Sequence, residues 1–393
     1  MTYDFNTVID RTGTNALKYE ALEELYGRKD LLPLWIADME FQAPPFVISA
    51  MKKRLEHPIL GYTKTPEALW DGIKNWLDAR HGWKVEREWL DFMPGIVKGL
   101  GFAVNLFVKP DEKVIIQPPV YHPFRMVPEG YGREVVFNPL IERENGLYDM
   151  DFDNLEKVCD DKCRMIVLCN PHNPGGVCWS REVLQKLARF AVTHDLIVVS
   201  DEIHCDMTVF GHKHIPFASV SDEAASCSLT FGAPSKLFNI PGVITSYCVI
   251  PNKELRDKFR KYMNVTGLDV PSILCAEATV AALTPEGNAW REQMLEHVES
   301  NIRFVEDYCT SNIPEIRPIR PEASFLVWLD CRKLNLSHDE LIDLFVNKAR
   351  LALNDGEMFG PGGEGHMRLN VAEPRVILEE AMRRLKTALH PGL

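Results

Sequence analysis

An apolar run that ends in an acid, followed by a second apolar run that leads into a Ser-Lys pair, constrains this chain more than any other feature. Leu196-Ile197-Val198-Val199 reads as a buried parallel strand and runs into Ser200-Asp201-Glu202-Ile203-His204. The second run, Ser228-Leu229-Thr230-Phe231, precedes Ala233-Pro234-Ser235-Lys236-Leu237-Phe238-Asn239. An Asp at a strand end is often a helix cap, and a Ser-Lys pair in a loop is often solvated surface. Together, an acid closing one strand and a lysine just past another have a chemical use. A lysine can form a Schiff base with an aldehyde cofactor, and a carboxylate can keep a pyridine nitrogen protonated.

The neighbouring segments narrow the reading. Asn170-Pro171-His172-Asn173-Pro174-Gly175-Gly176, the Asp201 segment and the Lys236 segment occur in that order. The chain resembles the fold-type I pyridoxal-phosphate enzymes of the aspartate aminotransferase superfamily, and within them the MalY/PatB group of cystathionine β-lyase-like proteins. The resemblance covers essentially the whole chain. It implies an α/β fold of PLP-dependent transferase type I, with a large domain built on a mainly parallel seven-stranded sheet between helices and a smaller α/β domain. The large, PLP-binding domain is expected at residues 46–285. The N-terminal arm and small domain are expected at residues 1–45 and 286–393. Pyridoxal 5′-phosphate is the implied cofactor, and a homodimer with shared active sites the implied assembly.

Composition agrees with an ordinary globular protein. Of 393 residues, 46% are hydrophobic and 25% charged, enough for a large core without disulfide or metal. By length alone, roughly two to three domains would be expected. The net charge of −12 argues against nucleic acid or an anionic membrane as partner. Met1 to Arg11 is polar, unlike a signal segment, and no run reaches membrane-span length. Cys159 and Cys163 lie close, but no second pair stands at zinc-ligand spacing, so no metal site is expected. The ten cysteines read as reduced and mostly buried in a cytoplasmic protein.

Taken in order, Asp10 to Tyr19 reads as an extended polar arm. Leu32 to Phe41 reads as a strand and a turn stopped by Pro44-Pro45. Helices are predicted over Val47 to Glu56 and Leu69 to Ala79, the latter with Leu69, Ile73, Trp76 and Leu77 on one face. Trp89 to Gly101 reads as strand, Gly turn and helix start. Lys113 to Gln117 and Met165 to Leu168 read as strands, and Asp151 to Val158 as a short helix. Ser180 to His194 reads as a helix capped by Ser180. Further helices are predicted over Ser272 to Leu283 and from Gly287 to about Cys309, with Trp290, Met294, Val298, Ile302 and Val305 at helical spacing. Ser324 to Asp330 and His366 to Asn370 read as strands, Asp339 to Ala349 as a helix, and Glu357 to Gly365 as a flexible loop. Ligand residues at strand carboxyl ends fit an open α/β sheet.

Free N–H groups at a helix N-terminus make an anion site, so a 5′-phosphate is expected at Gly95, Ile96 and Val97. The resemblance implies the remaining roles. Lys236 would hold the cofactor and, once freed by an incoming amino acid, act as general base at Cα. Asp201 would keep the ring nitrogen protonated, Tyr121 would stack on the pyridine, and Asn173 would meet the cofactor O3′ and the substrate carboxylate. Ser235 and the neighbouring subunit's Tyr62 would reach the phosphate. The backbone N–H near Ala37 would meet the substrate carboxylate, and Arg368 would clamp it two-pronged.

His204, a cofactor-binding position in this reading, stands where many aminotransferases have Tyr, a swap shared with the MalY/PatB group. Ala233 stands where a phosphate-binding Ser is common, and Ile244 where an arginine often helps. The expected reaction is C–S β-elimination from L-cystathionine or a related sulfur amino acid, giving a thiol, pyruvate and ammonia. The alternative is amino transfer to a 2-oxo acid. A regulatory binding protein of this fold is the remote third reading.

Overall fold

The computed structural model describes residues 1–391. Gly392 and Leu393, the end of the expected second segment, lie outside the described residues. Short aliphatic runs build the large sheet from Leu90–Met93 (β1), Lys113–Ile116 (β2), Glu134–Phe137 (β3), Cys163–Cys169 (β4), Ile197–Asp201 (β5), Ser228–Gly232 (β6) and Ser246–Val249 (β7). The seven strands lie in the order β1-β7-β6-β5-β4-β2-β3. β7 runs antiparallel to both neighbours and the other pairings are parallel. Met165, Ile166, Leu168, Val198 and Leu229 are wholly buried. Helices cover both faces, which is why these strands are continuously apolar rather than alternating.

The chain leaves β2 for β3 on one side and β4 for β5 and β6 on the other. The strand order therefore reverses between β2 and β4, and a crevice opens at their carboxyl ends. Register sets Cys169 beside Asp201, and Asp201 beside Phe231.

Helix ends follow local chemistry. Ser180 accepts from the Val183 N–H ahead of helix Arg181–Thr193, and Ser272 from the Cys275 N–H ahead of Ile273–Ala282. Helix Pro285–Asn312 spans 28 residues, with Trp290, Met294, Val298, Ile302 and Val305 buried. The second sheet holds Arg317–Ile319 (β8), Leu326–Asp330 (β9), Asn354–Asp355 (β10) and His366–Asn370 (β11). Its order is β8-β9-β11-β10, antiparallel throughout.

Three local expectations are corrected. Of Leu32 to Phe41, only Leu32–Pro33 is a strand, parallel to Leu351–Ala352. Beyond it the backbone is held by side chains, Asn370 donating to the carbonyls of Ile36 and Asp38. The segment Glu357 to Gly365 is docked rather than loose. Phe359 is 2% exposed, and its carbonyl accepts from the Val120 N–H at 2.9 Å. The helix over Asp339 to Ala349 is α-helical only from His338 to Asp343 and continues as a π turn over Leu344–Lys348. The wider turn lets Leu344, Phe345 and Val346, three consecutive residues, all be buried.

Candidate active site

The phosphate end of the site is set by backbone. After β1, Gly95 adopts φ +117°, a region closed to residues with a Cβ, and helix Ile96–Phe107 begins without a side-chain cap. The first-turn N–H groups of Ile96, Val97 and Lys98 have no partner within the helix. The helix packs directly on the sheet, since a Cβ on Gly99 would lie 1.8 Å from Met93 Sδ. Its N-terminus is thereby fixed at the sheet's edge.

A cavity of about 290 Å³ opens there. Ala37, Gly95, Ile96, Val97, Tyr121, Asn173, Asp201, His204, Ser235 and Lys236 all line it. The structure thus brings together the sequence-predicted residues other than Tyr62 and Arg368. Arg368 stands behind the lining, bonded to Asn173. Tyr62 stands apart, fully exposed among exposed Ile59 and Leu60.

Burial governs the charges. The Asp201 carboxyl is pushed up to about 7 by burial, with the adjacent Glu202 adding, against the Ile203 N–H and Lys236. That N–H, at 3.1 Å, makes the only hydrogen bond to its carboxylate among the described residues. The Lys236 amine is lowered to about 8, by burial first and by Arg368 second, while Asp38 and Asp201 oppose the shift. Its Nζ donates to the Ala37 carbonyl at 2.6 Å. His204 is lowered to about 3 by burial, Lys236 and Arg368, so it is neutral, and its buried Nδ1 has no partner. Burial also raises the Tyr121 hydroxyl, and the Tyr121 N–H donates to the Asn173 carbonyl at 3.1 Å.

Arg368 lies on β11, where register sets it between Trp328 and Asn354. It donates to Asn173 Oδ1 at 2.9 Å, the Trp35 carbonyl at 3.1 Å and Asn354 Oδ1 at 2.5 Å. The guanidinium sits 4.9 Å from the centre of the Phe359 ring. Its buried Nε has no partner. Burial lowers this guanidinium to about 10, and it remains a cation at neutral pH.

Sequence reasoning missed Trp35, Asn354 and Phe359 as the seat of Arg368. It also missed Cys169, Lys98, Thr245 and Ser246 in the lining. Trp35 acts across 333 residues and Asn354 across a strand pairing 14 residues away, and no local pattern announces either contact. Asn239 carried a signal in its place after Lys236-Leu237-Phe238. It adopts φ +52° and brackets the Met39 backbone, accepting from its N–H at 3.1 Å and donating to its carbonyl at 2.9 Å.

These groups suit a phosphorylated pyridine aldehyde. A buried carboxylate with one donor can take a ring N–H. A partly deprotonated amine can join an aldehyde, and a neutral imidazole has a free Nδ1 for a ring oxygen. The uncapped helix end suits a phosphate. The residues present therefore fit pyridoxal phosphate, with Asp201 at the ring nitrogen and Gly95, Ile96 and Val97 at the phosphate.

An open α/β sheet that carries a buried lysine and acid at its switch-point crevice defines a fold-type I architecture built around such a cofactor. The model of the family "aminotransferase class I and II" matches residues 29–385, and the chain belongs to that family. It is 41% identical to cystathionine beta-lyase PatB of Bacillus subtilis strain 168, over 98% of this chain and 100% of that one. It is 31% identical to protein MalY of Escherichia coli K12, over 98% of this chain and 99% of that one. The PLP-bound C-S lyase structure from Staphylococcus hominis superposes with a TM-score of 0.91 at 31% identity, covering 99% of this chain and 98% of that one.

Proposed function

We propose that the chain is a pyridoxal-phosphate-dependent C–S β-lyase, which cleaves L-cystathionine or a related sulfur amino acid to a thiol, pyruvate and ammonia. One observation carries the reading: Lys236, Asp201, Asn173 and the Gly95 turn line a single cavity. The 41% identity to a cystathionine beta-lyase over the whole chain supports the reaction type.

When bound, pyridoxal phosphate supplies a sink for the electrons left at Cα as its proton departs. The chain's own residues do the rest. Arg368 and Asn173 hold the substrate carboxylate, which fixes the Cα–H bond relative to Lys236. The lowered pKa of Lys236 leaves a usable fraction of neutral amine near pH 8 to take that proton at Nζ. Asp201 holds a proton on the ring nitrogen by charge and hydrogen bond.

The shared site extends the proposal to a homodimer in which Tyr62 of each chain serves the other's phosphate. We also propose the division into residues 46–285 and residues 1–45 with 286–393, since each sheet is confined to one part. All ten cysteines are free thiols, which suits a cytoplasmic, reducing setting. Among the described residues no helix is long and apolar enough to cross a membrane.

Two measurements test the function. Borohydride reduction of the loaded protein should fix the cofactor to the peptide holding Lys236, and a label elsewhere refutes the assignment. Pyruvate from L-cystathionine is then compared with amino transfer to a 2-oxo acid. A tenfold excess of transfer across sulfur and non-sulfur amino acids, about 1.4 kcal/mol of barrier, would replace lyase by aminotransferase.

A further inference from the structure

The loop from Trp35 to Glu40 supplies two carbonyls to the site. That of Ala37 accepts from Lys236 Nζ at 2.6 Å and that of Trp35 from Arg368 at 3.1 Å. The loop is not a strand, so its backbone position depends on what holds it. Beside Asn239, which brackets Met39, and Asn370, it is held by a lysine of the N-terminal arm that plays no part in the chemistry derived above.

Lys18 is 0% exposed. Its ammonium donates to Glu373 Oε1 at 2.6 Å and to the Asp38 carbonyl at 3.2 Å, and it lies 3.0 Å from Glu40 Oε1. Its own carbonyl accepts from the Trp35 indole at 2.9 Å. Lys18 therefore grips the loop at both ends and ties it to Glu373, just beyond β11, the strand that carries Arg368. Arg11 adds a second cation, donating to Asp38 Oδ1 at 2.7 Å and Glu40 Oε1 at 2.8 Å. Asn370, also on β11, donates to the carbonyls of Ile36 and Asp38.

A buried ion pair contributes little net stability compared with well-packed apolar groups, but it imposes one geometry on its partners. The Lys18 geometry runs through the segment that touches both the candidate base and the candidate carboxylate clamp. We propose that Lys18, paired with Glu373 and Glu40, is a positioning residue for the reaction, holding the Trp35–Glu40 loop so that Lys236, Arg368 and the Ala37 backbone meet the substrate in register. The proposal rests on the roles given above to Lys236 and Arg368.

The test uses the full chain loaded with pyridoxal phosphate and the variants Lys18→Met and Glu373→Gln. The probe is 3-(methylthio)propionate, a carboxylate without the α-amino group that would displace Lys236. In Lys18→Met it should bind about tenfold more weakly or worse, because removing one partner of a buried pair leaves the others unpaired. Hydrogen exchange of the amides of residues 34–41 should quicken in the same variant, and KM for the amino-acid substrate should rise by more than kcat falls. Cofactor affinity should stay within about twofold of the parent. Glu373→Gln should move the same readings in the same direction, by about threefold, since Glu40 and the Asp38 carbonyl still hold the ammonium. If Lys18→Met does not fold, Glu373→Gln decides by the same criteria. The proposal is overturned if the probe binds as in the parent, if exchange at 34–41 is unchanged, or if exchange quickens throughout the chain with loss of cofactor. Failure of the underlying site assignment shows separately, as a parent protein that carries no label on Lys236.

Discussion

Arg368 on the small sheet donates to Asn173 Oδ1, beyond the end of β4 on the large sheet, at 2.9 Å across 195 residues of sequence. The two residues that would hold a substrate carboxylate are thus one unit. Their contact also joins the two sheets at the cavity. Trp35 and Asn354 complete the seat and leave only Nε without a partner.

Arg368→Lys should therefore damage every amino-acid reaction alike. An ammonium cannot span Asn173, Asn354 and the Trp35 carbonyl and still present a fork to a carboxylate. Truncating one partner of a buried, hydrogen-bonded charge site costs about 2–5 kcal/mol, roughly 30- to several-thousand-fold in kcat/KM. Pyruvate release and amino transfer, assayed on one preparation, should fall by the same factor. A variant that loses one and keeps the other would show that Arg368 does not hold the carboxylate shared by both.

Motifs that are local in sequence were legible, and contacts across the chain were not. Asp201 ends one buried strand and Lys236 lies four residues past the end of its neighbour, so the apolar runs before them gave their place on the sheet. The uncapped turn at Gly95 could be read because its chemistry lies within three residues. Arg368 was placed by resemblance, but its seat was hidden, since Trp35 reaches it across 333 residues and Asn354 through the pairing of two short strands. The segment around Phe359 looked loose because its glycines suggest freedom. Burial of one ring beneath a guanidinium outweighs that composition. Lys18 gave no signal at all, because a lysine in a polar arm is ordinarily solvated.

Asp201 makes a prediction about stability and pH. Burial raises its carboxyl from 3.8 to about 7, so the folded chain binds the proton more tightly than the unfolded one. Its contribution to stability is full below pH 4 and is lost as pH rises toward 7. Lys236, lowered to about 8, titrates above that window and does not confuse it. In protein stripped of pyridoxal phosphate, Asp201→Asn should gain on the parent by a few kcal/mol between about pH 4 and 7. Restoring the cofactor should remove the gain, because a ring N–H then pairs with the parent carboxylate. Urea unfolding at several pH values, with and without cofactor, reads this directly. Parallel curves for the two proteins without cofactor would refute the account.

Tyr62 tests the shared site. Its side chain is fully exposed, with Ile59 and Leu60 exposed beside it, and it makes no part of its own chain's cavity. In the proposed homodimer this exposed apolar surface is the one the second copy would cover. If Tyr62 completes the phosphate site of a second copy, each active site draws Lys236 from one chain and Tyr62 from the other. Tyr62→Phe should weaken cofactor binding by about tenfold, the loss of one charge-assisted hydrogen bond. Lys236→Ala should be inactive. Refolding an equal mixture gives hybrid dimers in which one site carries both lesions and the other neither. Activity at limiting cofactor should therefore exceed the mean of the two separate variants. Activity equal to that mean, or full activity in a species that sediments as a monomer, would show that Tyr62 serves no neighbouring site.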